Sequence, residues 1–287
     1  LDHFRQSVRH DHPFKSVANG AVSAAIKVSD GLPIRSPFDN GASAIQQTAR
    51  RSIAEYSEPY FLFVNFMEAH HPHRLIRRYS DDIDVPKSWT SASLDLMDLN
   101  DGGPDTLDIH ADYVSNFRRL YREAVGYLDQ RVFELVQTIQ QQSEDEVTII
   151  ITADHGENLG YEEDDYLFGH TASLSEGLLH VPLDIINPPN DFVIETGRMF
   201  SQRHLRDIIE SIAHGKPVSL PNEKYVPAEL IGGGLLQNPD EYWDRMIRCV
   251  YDTESQIRVK WDSMGNRYRD DLSDSADSGR TSRESIK

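Results

Sequence analysis

The sequence predicts an α/β domain, and three apolar runs with the helices between them carry that expectation. Residues 60–66, 147–151 and 181–186 are short and almost continuously apolar, the pattern of strands buried on both faces of a parallel sheet. Between the first two runs, Tyr113, Phe117, Leu120, Tyr121, Ala124, Leu128, Val132, Leu135, Val136 and Ile139 recur at three- and four-residue intervals, which is one face of a long helix. Strands alternating with helices call for a largely parallel central sheet. Ligands in such sheets collect at the carboxyl ends of the strands.

Taken in order, residues 1–40 show no sustained period and read as loop. Ile45, Ala49 and Ile53 predict a helix over 42–56, with Asn40 or Ser43 near its start and Ser57, Glu58 and Pro59 closing it. A polar stretch with His70, His71 and His73 follows the first strand and reaches Asp101-Gly102-Gly103-Pro104. Beyond the third apolar run, residues 200–213 read as a helix. Residues 248–252 and 256–261 read as two strands joined by Thr253-Glu254-Ser255, a hairpin on a small appended sheet. The expected organisation is an α/β domain over 1–215, a small carboxyl-terminal subdomain over 216–265 and a disordered acidic tail over 266–287, where Ser, Asp and Arg leave little to pack.

Composition narrows the partners. Of 287 residues, 47 are acidic and 29 basic, giving a net charge of −18. Such a surface repels phosphate backbones and anionic lipid, so neither nucleic acid nor membrane is an expected partner. No apolar run approaches the roughly 20 residues of a membrane helix. The basic residues are 22 Arg and only 7 Lys, a balance suited to concentrated salt, where screening relieves the self-repulsion of an acidic fold; an ordinary acidic protein is the alternative. The single cysteine, Cys249, sits in an alternating apolar pattern and reads as a buried, inert thiol. No secretory signal is present, which places the protein in the cytoplasm if Leu1 is the true amino terminus.

The chemistry concentrates after the second strand, in Thr152-Ala153-Asp154-His155-Gly156-Glu157. Asp154 and His155 at a strand's carboxyl end offer one hard oxygen and one imidazole nitrogen to a divalent cation. Gly156 lets the chain turn, and Glu157 either orients a ligand or caps the next segment. The alternative is a polar turn in which Asp154 caps a helix.

Asp154-His155-Gly156-Glu157, the later Gly169-His170, Glu176 and Val181-Pro182-Leu183 strongly resemble the sulfatases of the alkaline phosphatase superfamily. The segment from Pro59 through His70-His71-Pro72-His73 resembles the family's strand leading to a substrate-site histidine, and 120–129 resembles the helix preceding its metal strand. The resemblance covers about residues 37–262. It implies an alkaline-phosphatase-like sandwich in which Asp154 and His155 are metal ligands and Glu157 supports them. It further implies that His170 contacts the sulfate and leaving-group oxygens, while His70 serves the departing alcohol. The cation in sulfatases is usually calcium. His155 stands where many members have Asn, and imidazole brings zinc or manganese into consideration. His71 and His73 read as loop histidines, and His180 as packed beside the third strand.

The family's nucleophile is a formylglycine made from Cys or Ser in a Cys/Ser-x-Pro-x-Arg stretch, with paired aspartates upstream. No such stretch occurs here: Cys249 precedes Val250-Tyr251-Asp252, and neither Ser36-Pro37-Phe38 nor Ser219-Leu220-Pro221 has the pattern. The chain therefore reads as the carboxyl-terminal portion of a sulfatase, its amino-terminal part missing, inactive alone. The complete protein would hydrolyse the sulfate monoester of a small molecule or polysaccharide. The alternatives are a phosphoesterase or phosphoglycerol transferase of the same superfamily, or a non-catalytic binding fragment.

Overall fold

The computed structural model describes residues 34–55, 59–143, 146–189, 192–193, 199–219, 222–232, 244–272 and 282–285, with helical positions at 20, 21 and 24. Most of the 1–40 loop expectation and the Ser57-Glu58 helix stop lie outside these residues. The chain forms two compact units: Leu1–Leu94 with Ala111–Asp145, and Asp95–His110 with Glu146–Lys287. The expected ranges 1–215, 216–265 and 266–287 follow chain order, whereas these units interleave.

In the first unit, the predicted helices are helix α1 (Ala42–Glu55) and, after the intervening helix α2 (Leu96–Ile109) of the second unit, helix α3 (Ala111–Gln142). α1 begins on two carboxylates. Asp39 accepts hydrogen bonds from the Gly41 and Ser43 amides at 3.1 Å each, and Glu68 accepts one from the Ala42 amide at 2.6 Å. These satisfy amides that the first turn leaves without helical partners. Burial works to raise the Asp39 pKa, but hydrogen bonds from Ser43, Tyr127 and the backbone outweigh it and hold the carboxyl below its usual value. Of the face that the 3.6-residue period of α3 predicts, Tyr113, Phe117, Leu120, Ala124, Leu135 and Ile139 are buried and Tyr121, Leu128, Val132 and Val136 half-buried, with Val114 and Tyr127 buried beside them. Leu120, Ala124 and Tyr127 join Ala42, Leu75, Ile76, Tyr79 and Val85 in one core cluster.

The first apolar run differs from expectation. Residues 60–66 form no ladder among the described residues and alternate between half-buried and exposed, Phe61 and Phe63 being 73% and 79% exposed. Only alternate side chains turn inward, because a strand is buried on both faces only when sheet neighbours and covering helices supply both.

In the second unit, α2 occupies part of the stretch read as polar loop. Asp95 caps it by accepting from the Met97 amide at 2.9 Å, and Gly103 (φ 61°) interrupts it before Pro104, so two short helical pieces meet at a kink. Strand β1 (Ile149–Thr152) pairs antiparallel with strand β4 (Leu183–Ile186), Ile149 opposite Ile186. Between them come strand β2 (Asn158–Leu159), strand β3 (Phe168–Gly169), antiparallel to β2, and the one-turn helix α4 (Glu176–Leu179). Strand β5 (Phe192–Val193) pairs in parallel with strand β6 (Val218–Ser219), and helix α5 (Leu205–Ala213) lies between them in sequence. The expected largely parallel central sheet is thus not present among the described residues. Apolar continuity marks a strand but carries no information on the direction of its partner.

A five-stranded antiparallel sheet, in the order β11-β10-β9-β8-β7, closes the unit: β7 (Tyr225–Ile231), β8 (Met246–Asp252), β9 (Ile257–Asp262), β10 (Arg267–Asp271) and β11 (Ser282–Ser285). The expected hairpin is β8–β9, with Cys249 opposite Lys260, and Cys249 is buried, which pushes its thiol pKa up. β10 and β11 lie inside the expected 266–287 tail. The charges that suggested solvation are neutralised instead: Asp270 is fully buried and accepts from Arg258 at 2.9 Å, with Lys260 at 3.2 Å.

Candidate metal centre

The segment leaving β1 is held from two sides. Thr152 donates its hydroxyl to the Pro182 carbonyl at 2.8 Å, and Gln202 donates its amide to the Ala153 carbonyl at 2.5 Å. A little further on, the Gly156 amide donates to the Leu178 carbonyl of α4 at 2.8 Å. The approach is so close that a Cβ on Gly156 would stand 1.9 Å from the Gly177 carbonyl oxygen. Glycine is required there by contact, beyond the turn that its sequence position suggested.

This docking aims the side chains. His155 Nδ1 lies 2.8 Å from the Gly156 carbonyl, which can only accept, so Nδ1 is the donor of that contact and Nε2 is the ring nitrogen left for a cation. The His155 and His170 rings stack with centroids 4.2 Å apart and planes at 29°. Glu157 binds His170 Nδ1 through Oε2 at 3.0 Å, and its side chain is 5% exposed. That hydrogen bond, ahead of the opposing effect of burial, raises the His170 pKa, with the Glu157 and Asp154 charges adding to it. The other oxygen, Glu157 Oε1, is buried with no hydrogen-bond partner. Leaving a carboxylate oxygen so costs free energy unless a cation or donor meets it.

One donor atom each from His155, Glu157 and His170 lie within 4.8 Å of one another, the spacing of ligands around a single ion. Asp154 stands at the edge: its side chain is 87% exposed, Oδ1 accepts from the His155 amide at 3.0 Å, and Oδ2 is 3.8 Å from His155 Nε2. The resemblance implies Asp154 and His155 as the metal pair, with Glu157 supporting and His170 on the substrate side. The geometry gathers His155, Glu157 and His170 and sets Asp154 beside them. The orphaned oxygen and the mixed nitrogen and oxygen donors fit a divalent cation.

His70 lies in the first unit, its Nδ1 2.5 Å from the His71 carbonyl oxygen. His73 lies in irregular backbone, as expected, but its side chain is buried. It is 2% exposed, edge-on to Phe117 and Tyr121, and both ring nitrogens lack hydrogen-bond partners. His180 is largely exposed and pairs with Glu176 at 3.1 Å.

Residues without a local sequence signal support the site. Asn158, fully buried at the start of β2, donates to Ser173 at 2.8 Å and accepts from Ser175 at 2.5 Å. Asn100, 68 residues before β3, brackets Phe168 by accepting from its amide at 2.7 Å and donating to its carbonyl at 3.1 Å, which steadies the strand leading to His170.

Helices and small sheets with a carboxylate and imidazole cluster after a strand define an α/β protein with a candidate metal centre. The sulfatase family model matches residues 12–191, more than half of the chain, and the chain belongs to the sulfatase family. No curated protein matches it. Membership brings an alkaline-phosphatase-like α/β fold and a family of hydrolases that act on sulfated substrates and depend on divalent metal. No helix among the described residues is long and apolar enough to cross a membrane.

Proposed function

We propose that this chain carries the cation-binding part of a sulfuric ester hydrolase, the complete protein cleaving sulfate monoesters. The observation that carries the reading is the convergence of His155, Glu157 and His170 around the unpartnered Glu157 Oε1. His155 presents Nε2, Glu157 orients His170 and offers its second oxygen, and Asp154 adds a carboxylate at the rim. A divalent cation held by these groups supplies positive charge against the sulfate oxygens. Two imidazoles favour zinc or manganese over calcium, which prefers oxygen donors. The role assigned to His70 is to protonate the departing alkoxide. Without a Cys/Ser-x-Pro-x-Arg stretch the chain has no nucleophile of the family's kind, and alone it is inactive.

Calorimetric titration of the full chain with zinc, manganese and calcium tests the site. Binding of zinc or manganese that is lost in His155→Ala and Glu157→Ala supports it; no binding of any of the three overturns it. Turnover of an aryl sulfate by the chain, abolished in Asp154→Ala, would show that the inactivity is wrong. Turnover of an aryl phosphate instead would move the substrate class to phosphoesters.

A further inference from the structure

The Asp154–Gly156 turn rests on α4, a helix of one turn that has too few internal hydrogen bonds to hold its own place. What holds it comes from its amino-terminal end. Ser175 caps it, accepting from the Leu178 amide at 3.2 Å while donating to Asn158. Its first residue, Glu176, receives Arg258 Nη1 at 3.2 Å. Arg258 is on β9, 82 residues later, and is 1% exposed; its Nε and Nη2 are committed to Asp270 Oδ2 at 3.1 and 2.9 Å. The guanidinium thus works as a rigid fork, two donors anchored in the sheet and the third reaching α4.

We propose that Arg258 is a positioning residue for the candidate metal centre. Resting on the metal reading above, the proposal adds that the carboxyl-terminal sheet sets the aim of the site. Arg258 fixes Glu176, Glu176 fixes α4, and the Gly177 and Leu178 carbonyls then set where Gly156 lies, and with it the flanking His155 and Glu157. A shift of α4 changes the spacing of the donors without removing any of them.

The test compares three variants of the full chain by zinc calorimetry. Arg258→Met and Glu176→Ala cut the link from opposite sides, the second at a carboxylate that is 21% exposed. Arg245→Met is the control, breaking the equally buried Arg245–Asp262 pair, 3.1 Å long, at the far end of β9. Each of the first two is expected to weaken zinc about tenfold, as for groups that orient a metal's ligands. The double variant is expected to lose no more than either single one, because both cut one chain of contacts. The control is expected to lower the melting temperature and leave zinc affinity within about twofold. Wild-type affinity in Arg258→Met, or an equal loss in the control, overturns the proposal. Should the unaltered chain bind no zinc, the metal reading fails by itself and the imidazole proton–nitrogen resonances decide instead. His155 and His170 then shift in Arg258→Met and stay in place in Arg245→Met if the proposal holds, and unchanged resonances in Arg258→Met refute it.

Discussion

The imidazole rings of His155 and His170 lie stacked, 4.2 Å between centroids, although 15 positions separate them in the chain. Such closeness suits two neutral rings sharing one cation better than two charged ones, which would repel across the stack. His155→Ala and His170→Ala are each expected to weaken zinc by at least about tenfold, and calcium is expected to bind more weakly than zinc. Isothermal titration of each variant checks both statements.

Glu157 controls the protonation of its neighbour. Its hydrogen bond and charge hold the His170 pKa above the ordinary histidine value, so Glu157→Gln is expected to bring it down. Zinc competes with that proton, so affinity in the unaltered chain falls as the pH drops through the raised pKa. In Glu157→Gln zinc affinity drops at every pH because a carboxylate oxygen is lost, and what remains falls at lower pH. Proton NMR titration of His170 and zinc titrations across pH measure the two effects.

Gly156→Ala places a methyl group against the Gly177 carbonyl. Because backbone must give way, the expected cost is about 1–3 kcal/mol in urea unfolding, accompanied by loss of zinc affinity. An alanine variant as stable and as tight as the original would show that the turn is not docked on α4.

His73 makes the first unit sensitive to acid. Burial, followed by the charges of His71 and His70, lowers its pKa from 6.5 to about 4. Because the folded value is the lower one, the unfolded chain binds more protons between those limits. The stability due to neutral His73 is therefore complete above pH 6.5 and is lost as pH falls toward 4. The full loss is on the order of 3 kcal/mol. His73→Phe, which suits the aromatic surroundings and cannot titrate, is expected to flatten the dependence in that window; denaturant midpoints at a series of pH values check it.

How much of this was legible depends on how local each cause is. The helices α1 and α3 could be read because a 3.6-residue period is a property of the segment alone. The residues of the candidate site are legible as Asp154-His155-Gly156-Glu157 and Gly169-His170, a signature of adjacent residues. What required the structure was the sharing of donors: that Glu157 buries an oxygen without a partner, and that Asp154 stays at the rim. Arg258 and Asp270 were opaque for the same reason. Asp270 looks solvated beside its sequence neighbours and becomes buried through partners on another strand. Residues 60–66 show the reverse, since the apolar run announces burial while no sheet neighbour lies beside it among the described residues.

The unlaid ladder of residues 60–66 bears on hydrogen exchange. Their amides find no backbone acceptor among the described residues. Deuterium from the solvent is expected to enter this segment before the amides of α3 beside Phe117 and Leu120, whose acceptors are the helix's own carbonyls. A strongly apolar heptapeptide would lose its protons ahead of a helix with a polar outer face, and hydropathy would rank local protection in the wrong order.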